Sequence, residues 1–316
     1  NTDDQTLSLD GDSLRIEDGN AVDLDLVADG SELGNTLFWD GTDWQESNNL
    51  VNSLPVLTTS YAPLTSVPYT AYSLRKVISS YSGPAIRVRR SSDNAEQDIS
   101  FDSLNELDTA ALLTFVGSGD GFVSVWYDQA DLEDASNSAF AEQPRIVSGG
   151  SLITLNGKPA LNFVGSTLDM DYSSIQANFT NSMTWSMVYD PNGDAAYDVI
   201  ITSLQKVSHW DRFSGNGLSY TYFGSASRFE VVRSIPITHQ VLSYAHQTNN
   251  NLRSNLNGNV ILTNQVRAFS TAGFNSIEIG GPLGNDGLEN GYIQEIVLYN
   301  TDIGESSQTN LVNDQT

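Results

Sequence analysis

The first 60 residues alternate apolar and polar positions in short runs that end at Asp-Gly pairs. The runs at residues 6–9, 14–16 and 22–26 are separated by Asp10-Gly11 and Asp18-Gly19. Alternation with a period of two is typical of a strand that buries one face, and Asp-Gly is typical of the tight turn of a β-hairpin. The pattern predicts a series of short hairpins.

A second hairpin signal follows, in which Leu37-Phe38-Trp39 turns at Asp40-Gly41 and returns through Trp44. We expect the two indoles to face each other across the hairpin. Hairpins of this size are not stable alone in water, so another surface must cover their apolar faces. We therefore predict that residues 1–62 form an arm and linker that holds the chain in a homotrimer. An arm folded onto its own chain is the alternative.

From residue 63 to residue 316, short alternating runs are separated by turns rich in Gly, Asn and Ser, which predicts a single all-β sandwich domain of jelly-roll type. Two clear strands flank the turn Ser92-Asp93-Asn94. Helices should be few, and the candidates are residues 71–80, 103–113 and 305–312.

The chain has 316 residues, of which 39 are acidic and 14 basic, so its formal net charge is -25 at pH 7. This charge repels nucleic acid and anionic lipid, and neither is expected as a partner. No apolar run approaches the roughly 20 residues that a membrane-spanning helix needs, so no membrane insertion is expected. The sequence contains no cysteine, so an extracellular location would have to be supported without disulfides.

One stretch departs from the acidic average, because residues 212–277 contain five arginines and a single carboxylate, Glu230. Arginine forks bind carboxylates and hydroxyl groups, and aromatic rings supply a flat apolar contact surface. The stretch and the strand before it therefore predict a glycan-binding site. Its candidate residues are Trp210, Asp211, Arg212, Tyr220, Tyr222 and Arg228. Packing of the arginines against acidic neighbours is an equally good explanation.

Four segments, at residues 71–99, 125–129, 143–147 and 155–161, together resemble the catalytic domain of the family 54 α-L-arabinofuranosidases. The resemblance implies a concanavalin-like β-sandwich. The N-terminal repeats are similar to the attachment and shaft segments of bacteriophage fibres. That second resemblance implies a capsid or tail protein as a partner, host glycans as ligands and a place on the virion surface or outside the cell.

A retaining glycosidase needs two carboxyl groups about 5 Å apart. In the arabinofuranosidases one belongs to an Asp-Leu-Glu-Asn run after a Tyr-Phe-Gly strand, and the other follows a Gly-Gly pair. Here Tyr222-Phe223-Gly224 lacks the run that carries the nucleophile, and Gly280-Gly281 is followed by Pro282 in place of the acid. We therefore predict a non-catalytic virion fibre protein. The alternatives are a secreted hydrolase in which Glu230 acts with a carboxylate of residues 286–289, and a purely structural capsid decoration protein.

Two further groups of charged residues have structural explanations. The arginines of residues 87–90 are expected to pair with the acidic residues of residues 93–98 on a facing strand. Calcium could bind to the carboxylates of residues 131–134 or 169–171, but neither run has the order of an EF-hand loop. No cofactor is predicted and no metal is assigned.

Overall fold

The computed structural model divides the chain into two compact units, Asn1–Thr59 and Ser60–Thr316. The backbone is described for residues 7–10, 13–16, 22–23, 36–39, 44–47, 64, 67–164, 166, 168–170, 182–190, 198–202, 208–212, 218–222, 228–232, 240–246, 251–256, 259–266, 277–280, 289–304, 306–307 and 311. Side chains are described for residues 64, 67–164, 166, 168, 182, 184–190, 278–280, 291–304, 306–307 and 311. The predicted boundary at residues 62 and 63 lies outside the described residues and stays a prediction.

The first unit contains two small antiparallel sheets. One consists of β1 (Leu7–Asp10), β2 (Ser13–Ile16) and β3 (Val22–Asp23). The other consists of β4 (Thr36–Trp39) and β5 (Trp44–Ser47), and its register places Trp39 directly opposite Trp44 as expected. The strands on either side of each hairpin turn predicted at an Asp-Gly pair therefore pair with each other.

The register of the three-stranded sheet separates apolar from polar positions. Leu7 lies opposite Ile16, and Leu14 lies between Leu9 and Val22. Because successive residues of a strand alternate between the two faces, these five aliphatic residues share one face of the sheet. The opposite face carries the polar residues between them.

The second unit is a β-sandwich whose strands form two antiparallel layers. The strands of the first layer are, in spatial order, β6 (Thr70–Ser73), β26 (Glu289–Tyr299), β17 (Met183–Asp190), β22 (Gln240–His246), β23 (Asn251–Leu256) and β24 (Asn259–Val266).

The second layer runs in spatial order through β8 (Glu96–Ile99), β7 (Ile86–Arg90), β9 (Gly121–Trp126), β10 (Ala135–Ser136), β16 (Leu168–Met170), β25 (Ile277–Ile279), β18 (Asp198–Thr202), β19 (Ser208–Arg212), β20 (Leu218–Tyr222) and β21 (Arg228–Val232).

Shorter elements complete the second unit. They are β11 (Arg145–Ser148), β12 (Ser151–Leu152), β13 (Thr154–Leu155), β14 (Lys158–Pro159), β15 (Leu161–Val164), the helix α1 (Thr109–Val116) and a 3-10 turn (Phe140–Glu142). Pairing of β9 with β11, of β11 with β15 and of β15 with β26 joins the two layers.

The main core lies between the two layers. Trp126 of β9, Trp185 of β17 and Ile296 of β26 belong to one buried cluster. The next residue along β26, Val297, belongs with Ala71 to a second buried cluster on the other side of the first layer. Apolar residues on both faces of β26 explain why residues 293–299 of this strand are all buried. The arrangement confirms the predicted all-β sandwich.

The predicted helix at residues 71–80 is wrong. Thr70–Ser73 forms strand β6, because its backbone pairs with β26 and all four residues are buried. The chain that follows is held by the side-chain amide of Gln129, which donates to the carbonyl of Arg75 at 2.7 Å and accepts from the N–H of Val77 at 2.7 Å. These long-range bonds override the local helical pattern.

The predicted helix at residues 103–113 starts later than expected. Asp108 caps α1 by accepting a hydrogen bond from the N–H of Ala111 at 2.9 Å. Gly117, with a φ of 69°, ends it after Val116. Near the C-terminus, the described residues 306, 307 and 311 are helical, within the predicted segment 305–312.

Two arginines of β7 pair with carboxylates as expected. Arg87 Nε lies 2.7 Å from Asp98 Oδ1, and an Arg90 guanidinium nitrogen lies 2.7 Å from Asp93 Oδ2. The bonded guanidinium lowers the pKa of Asp93 to about 2. These exposed pairs contribute little to stability, because water and salt screen them.

Arg89 differs from the prediction, because its bonds go to neutral groups. Its Nε donates to Gln143 Oε1 at 2.7 Å, and its guanidinium carbon lies 4.3 Å from the centre of the Phe140 ring and 4.7 Å from that of Phe122. Burial lowers the pKa of Arg89. Glu96 lies directly opposite on β8, as the alternation of charges predicted, and its charge opposes that shift. The hydrogen bond of Arg89 Nε and its ring contacts nevertheless go to neutral groups.

Asp128 anchors the loop after β9 to the start of β6. Its Oδ1 accepts the N–H groups of Ala71 at 2.7 Å and Ala130 at 2.9 Å, and its Oδ2 accepts those of Leu132 at 3.2 Å and Glu133 at 3.3 Å. The residue is 1% exposed. Burial raises the pKa of Asp128, and the bonds from the backbone oppose that shift.

We predict that Asp128→Ala lowers the free energy of unfolding by at least about 3 kcal/mol, because each buried donor left without a partner costs about 1–3 kcal/mol. Asp128→Asn should lose less, because its single amide oxygen can still accept from Ala71 and Ala130. Urea denaturation of the full chain measures both changes. The control Asp98→Asn, at an exposed ion pair, should change stability by less than about 1 kcal/mol. Equal stability of Asp128→Ala and Asp98→Asn would contradict the anchoring role.

Candidate functional site

The register of β16 and β25 divides the second layer into a face toward the core and a face away from it. Leu168 pairs with Ile279, and both are fully buried in the main core. Asp169 and Glu278 pair with each other one position along. Because residues alternate between faces, Asp169 and Glu278 lie on the side away from the core, which we call the outer face.

A row of polar residues crosses the outer face from strand to strand. Ser136 pairs with Asp169, Asp169 with Glu278, Glu278 with Thr202, and Thr202 with Ser208. We call these five residues the polar row. Because neighbouring strands lie about 4.8 Å apart, the row covers about 19 Å of the sheet.

Strands β19, β20 and β21 continue the outer face with aromatic residues. Trp210 lies two positions beyond the polar row on β19 and pairs with Tyr220. Tyr220 pairs in turn with Glu230, and Tyr222 pairs with Arg228. The alternation of each strand therefore places Trp210, Tyr220 and Tyr222 together on the outer face, and we call these three residues the aromatic platform.

The register assigns five of the six predicted site residues to the outer face. The five are Trp210, Arg212, Tyr220, Tyr222 and Arg228. Asp211 is the exception, since it pairs with Ser219 at a position that alternates to the other face. The role of all six residues in binding stays a prediction.

The structure identifies a strand partner of Glu230 that could not be predicted from the sequence. The sequence singled it out only because no other carboxylate occurs in residues 212–277. The register places it directly opposite Tyr220, at the edge of the aromatic platform. Glu230 is therefore a candidate binding residue as well as a candidate displaced carboxylate.

The outer face is open to solvent at its β10 end, where side chains are described. Ser136 is exposed, and its neighbour Val125 on β9 is half-buried. Next to Val125 lies Arg87, whose bonds lower the pKa of Asp98. The hydroxyl of Tyr127 also donates to Asp98, at 2.8 Å. This end of the face is a polar, accessible surface.

The opposition of Asp169 and Glu278 could not be predicted from the sequence. The alternation of Ile277, Glu278 and Ile279 indicates that Glu278 faces away from a core, but its partner strand lies far away in the sequence. Like charges directly opposite each other on neighbouring strands repel, so this pair does not stabilise the sheet.

Gly280 follows β25 with a φ of 91°, and a Cβ there would lie 2.5 Å from the carbonyl oxygen of Ser166 and against the ring of Phe163. The backbone therefore requires glycine at this position. The first glycine of the Gly-Gly pair is therefore explained by the backbone conformation, and its presence does not indicate a catalytic role. Residues 223–227 and 281–288, which hold the rest of the two motifs, lie outside the described residues.

Within the described part of the chain, no three His, Asp or Glu side chains are arranged to hold a metal ion. The side chains of the candidate calcium ligands Asp169 and Asp171 are not among those described. No helix in the described segments is both long and apolar enough to cross a membrane.

Comparison with known proteins gives structural neighbours only. No protein-family model matches the sequence, and no curated protein matches it. A family 54 α-L-arabinofuranosidase soaked with a cyclic sulfate inhibitor superposes with a TM-score of 0.60 and 14% identity, covering 78% of this chain and 62% of that chain. An arabinofuranosidase complexed with arabinofuranosyl-α-1,2-xylobiose gives a TM-score of 0.61 with the same identity and coverage.

These neighbours establish the fold. The sandwich is similar to that of the arabinofuranosidases, as the resemblance of residues 71–99 implied. The chain spans 62% of the length of those enzymes. At 14% identity, the likeness does not transfer their activity to this chain.

Proposed function

We propose that this chain is a non-catalytic virion fibre protein whose sandwich binds host surface glycans through the outer face. The observation that carries the proposal is the register of β19–β21, which groups the aromatic platform with Arg212 and Arg228. Flat aromatic surface beside a few charged donors is the usual composition of a site for a polar organic ligand. The arginines supply forked donors for hydroxyl or carboxylate groups.

The first unit supports the fibre part of the proposal. Its three-stranded sheet gathers Leu7, Leu9, Leu14, Ile16 and Val22 on one face. A sheet of three short strands needs a partner for such a face. Two further copies of the same chain provide that partner by symmetry, and the repeats resemble the shaft segments of phage fibres. Attachment to a capsid or tail protein and a place on the virion surface complete the proposal.

A glycoside hydrolase is the second candidate, because the outer face also carries carboxylates. Residues opposite each other on neighbouring strands have Cβ atoms about 4.5–5.5 Å apart, and retaining glycosidases hold their two carboxyl groups about 5–5.5 Å apart. Asp169 and Glu278 are opposed in this way, and Glu230 lies beside Tyr220. We favour binding, because Pro282 occupies the position of the acid in the resembling enzymes.

We predict that Arg228→Ala weakens binding to host polysaccharide about tenfold or more, because a charge-assisted hydrogen bond contributes roughly 1.5–3 kcal/mol. Trp210→Ala should also weaken binding, because the flat apolar contact of the indole is lost. Affinity electrophoresis in gels that contain the polysaccharide measures the change. Thr221→Ala, between two platform residues on the other face, should bind like the wild type. If the wild-type protein is retained by no host polysaccharide, the structural decoration role remains.

We predict no hydrolysis of aryl α-L-arabinofuranosides or of arabinoxylan above the rate without protein. The variants Glu278→Gln and Glu230→Gln should give the same background rate as the wild type. Release of reducing sugar is the measurement. Turnover by the wild type that either variant abolishes would establish the hydrolase in place of the binding protein.

We predict that the full chain is a homotrimer held by the first unit. Light scattering should give three times the mass of one chain. Leu14→Asp should lower the measured mass to that of a single chain, because it would place a charge in the shared apolar face. Arg15→Asp, one residue away on the polar face, should remain trimeric. A full chain that is monomeric at micromolar concentration would contradict the predicted assembly.

A further inference from the structure

We infer that the glycan site extends beyond the aromatic platform along the polar row, so that it takes an extended polysaccharide chain lying across the strands. This inference rests on the proposed function and names the form of its ligand. A site limited to the platform would suit a single terminal sugar. The longer site predicts recognition of several consecutive sugar units.

The first argument is the continuity of the outer face. The polar row ends at Ser208, and Trp210 lies two positions away on the same strand and face. Tyr222 and Arg228 pair on the next two strands, β20 and β21. From β10 to β21 the face crosses seven strands, a span of about 29 Å at about 4.8 Å per spacing. That length accommodates several sugar units.

The second argument is the chemistry of the row. It consists of hydroxyl and carboxylate residues, and it places no aliphatic residue between Ser136 and Ser208. Carboxylates accept hydrogen bonds from two neighbouring hydroxyl groups at once, and Ser and Thr both donate and accept. A row of this composition matches the repeated hydroxyl groups of a polysaccharide backbone.

The third argument is the position of the row outside the main core. Leu168 and Ile279, which pair one position away from Asp169 and Glu278, belong to the main core. Like charges opposite each other repel, and sugar hydroxyl groups that donate to either carboxylate would reduce that repulsion. At the end of the row, Ser136 is exposed, so that a chain lying on the row can pass beyond it into solvent.

The test uses the full chain and two series of oligosaccharides, from disaccharide to hexasaccharide, made from arabinoxylan and from alginate. We expect the association constant for at least one series to rise tenfold or more from disaccharide to hexasaccharide. Glu278→Ala should weaken hexasaccharide binding about tenfold and leave disaccharide binding unchanged. Trp210→Ala should weaken both. Glu96→Ala, an exposed carboxylate on β8, is the matched control and should change neither.

The outcomes separate this inference from the function on which it rests. Equal affinity for disaccharide and hexasaccharide would overturn the extended site and leave the platform standing. The same conclusion follows if Glu278→Ala binds the hexasaccharide like the wild type while Trp210→Ala does not. A wild type that binds neither series would overturn the extended site, and if no host polysaccharide retains it either, the glycan-binding function is overturned as well. Thermal melting of each variant checks that a loss of binding is not a loss of fold.

Discussion

The burial of Leu168 and Ile279 side by side in the main core is the constraint on which the candidate site depends. A strand has only two faces, so fixing these residues inward fixes Asp169 and Glu278 outward. A slip of one residue would bury both carboxylates, at a cost of several kcal/mol for each unpaired charge. The pairing of β25 with β18, and of β18 with β19, then determines which residues of these strands face outward, and the same holds for the strands of the aromatic platform. The hydrophobic core thereby determines which residues a ligand can meet.

The outer face brings polar, aromatic and basic residues together on one side of the second layer. Its row of hydroxyl and carboxylate residues is followed by aromatic rings and arginines, within a chain whose formal net charge is -25. Local positive charge at Arg212 and Arg228 can attract an acidic or hydroxyl-rich ligand even though the rest of the surface repels anions. Activity depends on particular carboxylates and not on the fold.

Local signals in the sequence predicted local structure well. Asp-Gly pairs with alternating neighbours predicted the hairpins of the first unit, including the opposition of Trp39 and Trp44. Structure that is determined by pairing with distant strands could not be predicted, because no local pattern in the sequence contains that information. Residues 71–80 have a helical pattern, yet pairing with β26 and the amide of Gln129 hold them extended or in turns. In the same way, the partner of Glu278 became known only when β16 and β25 were placed side by side.

The most direct test of the account is to locate the bound glycan on the protein. Hydroxyl-radical footprinting of the full chain, with and without the polysaccharide that retains it best, reports the accessibility of individual aromatic side chains. The account predicts protection of Trp210, Tyr220 and Tyr222. Phe140, which is 54% exposed in the 3-10 turn beside Arg89 of β7, should be unchanged. Protection of Phe140 without protection of the platform would place the ligand on another part of the second layer and contradict the assignment of the site to the aromatic platform.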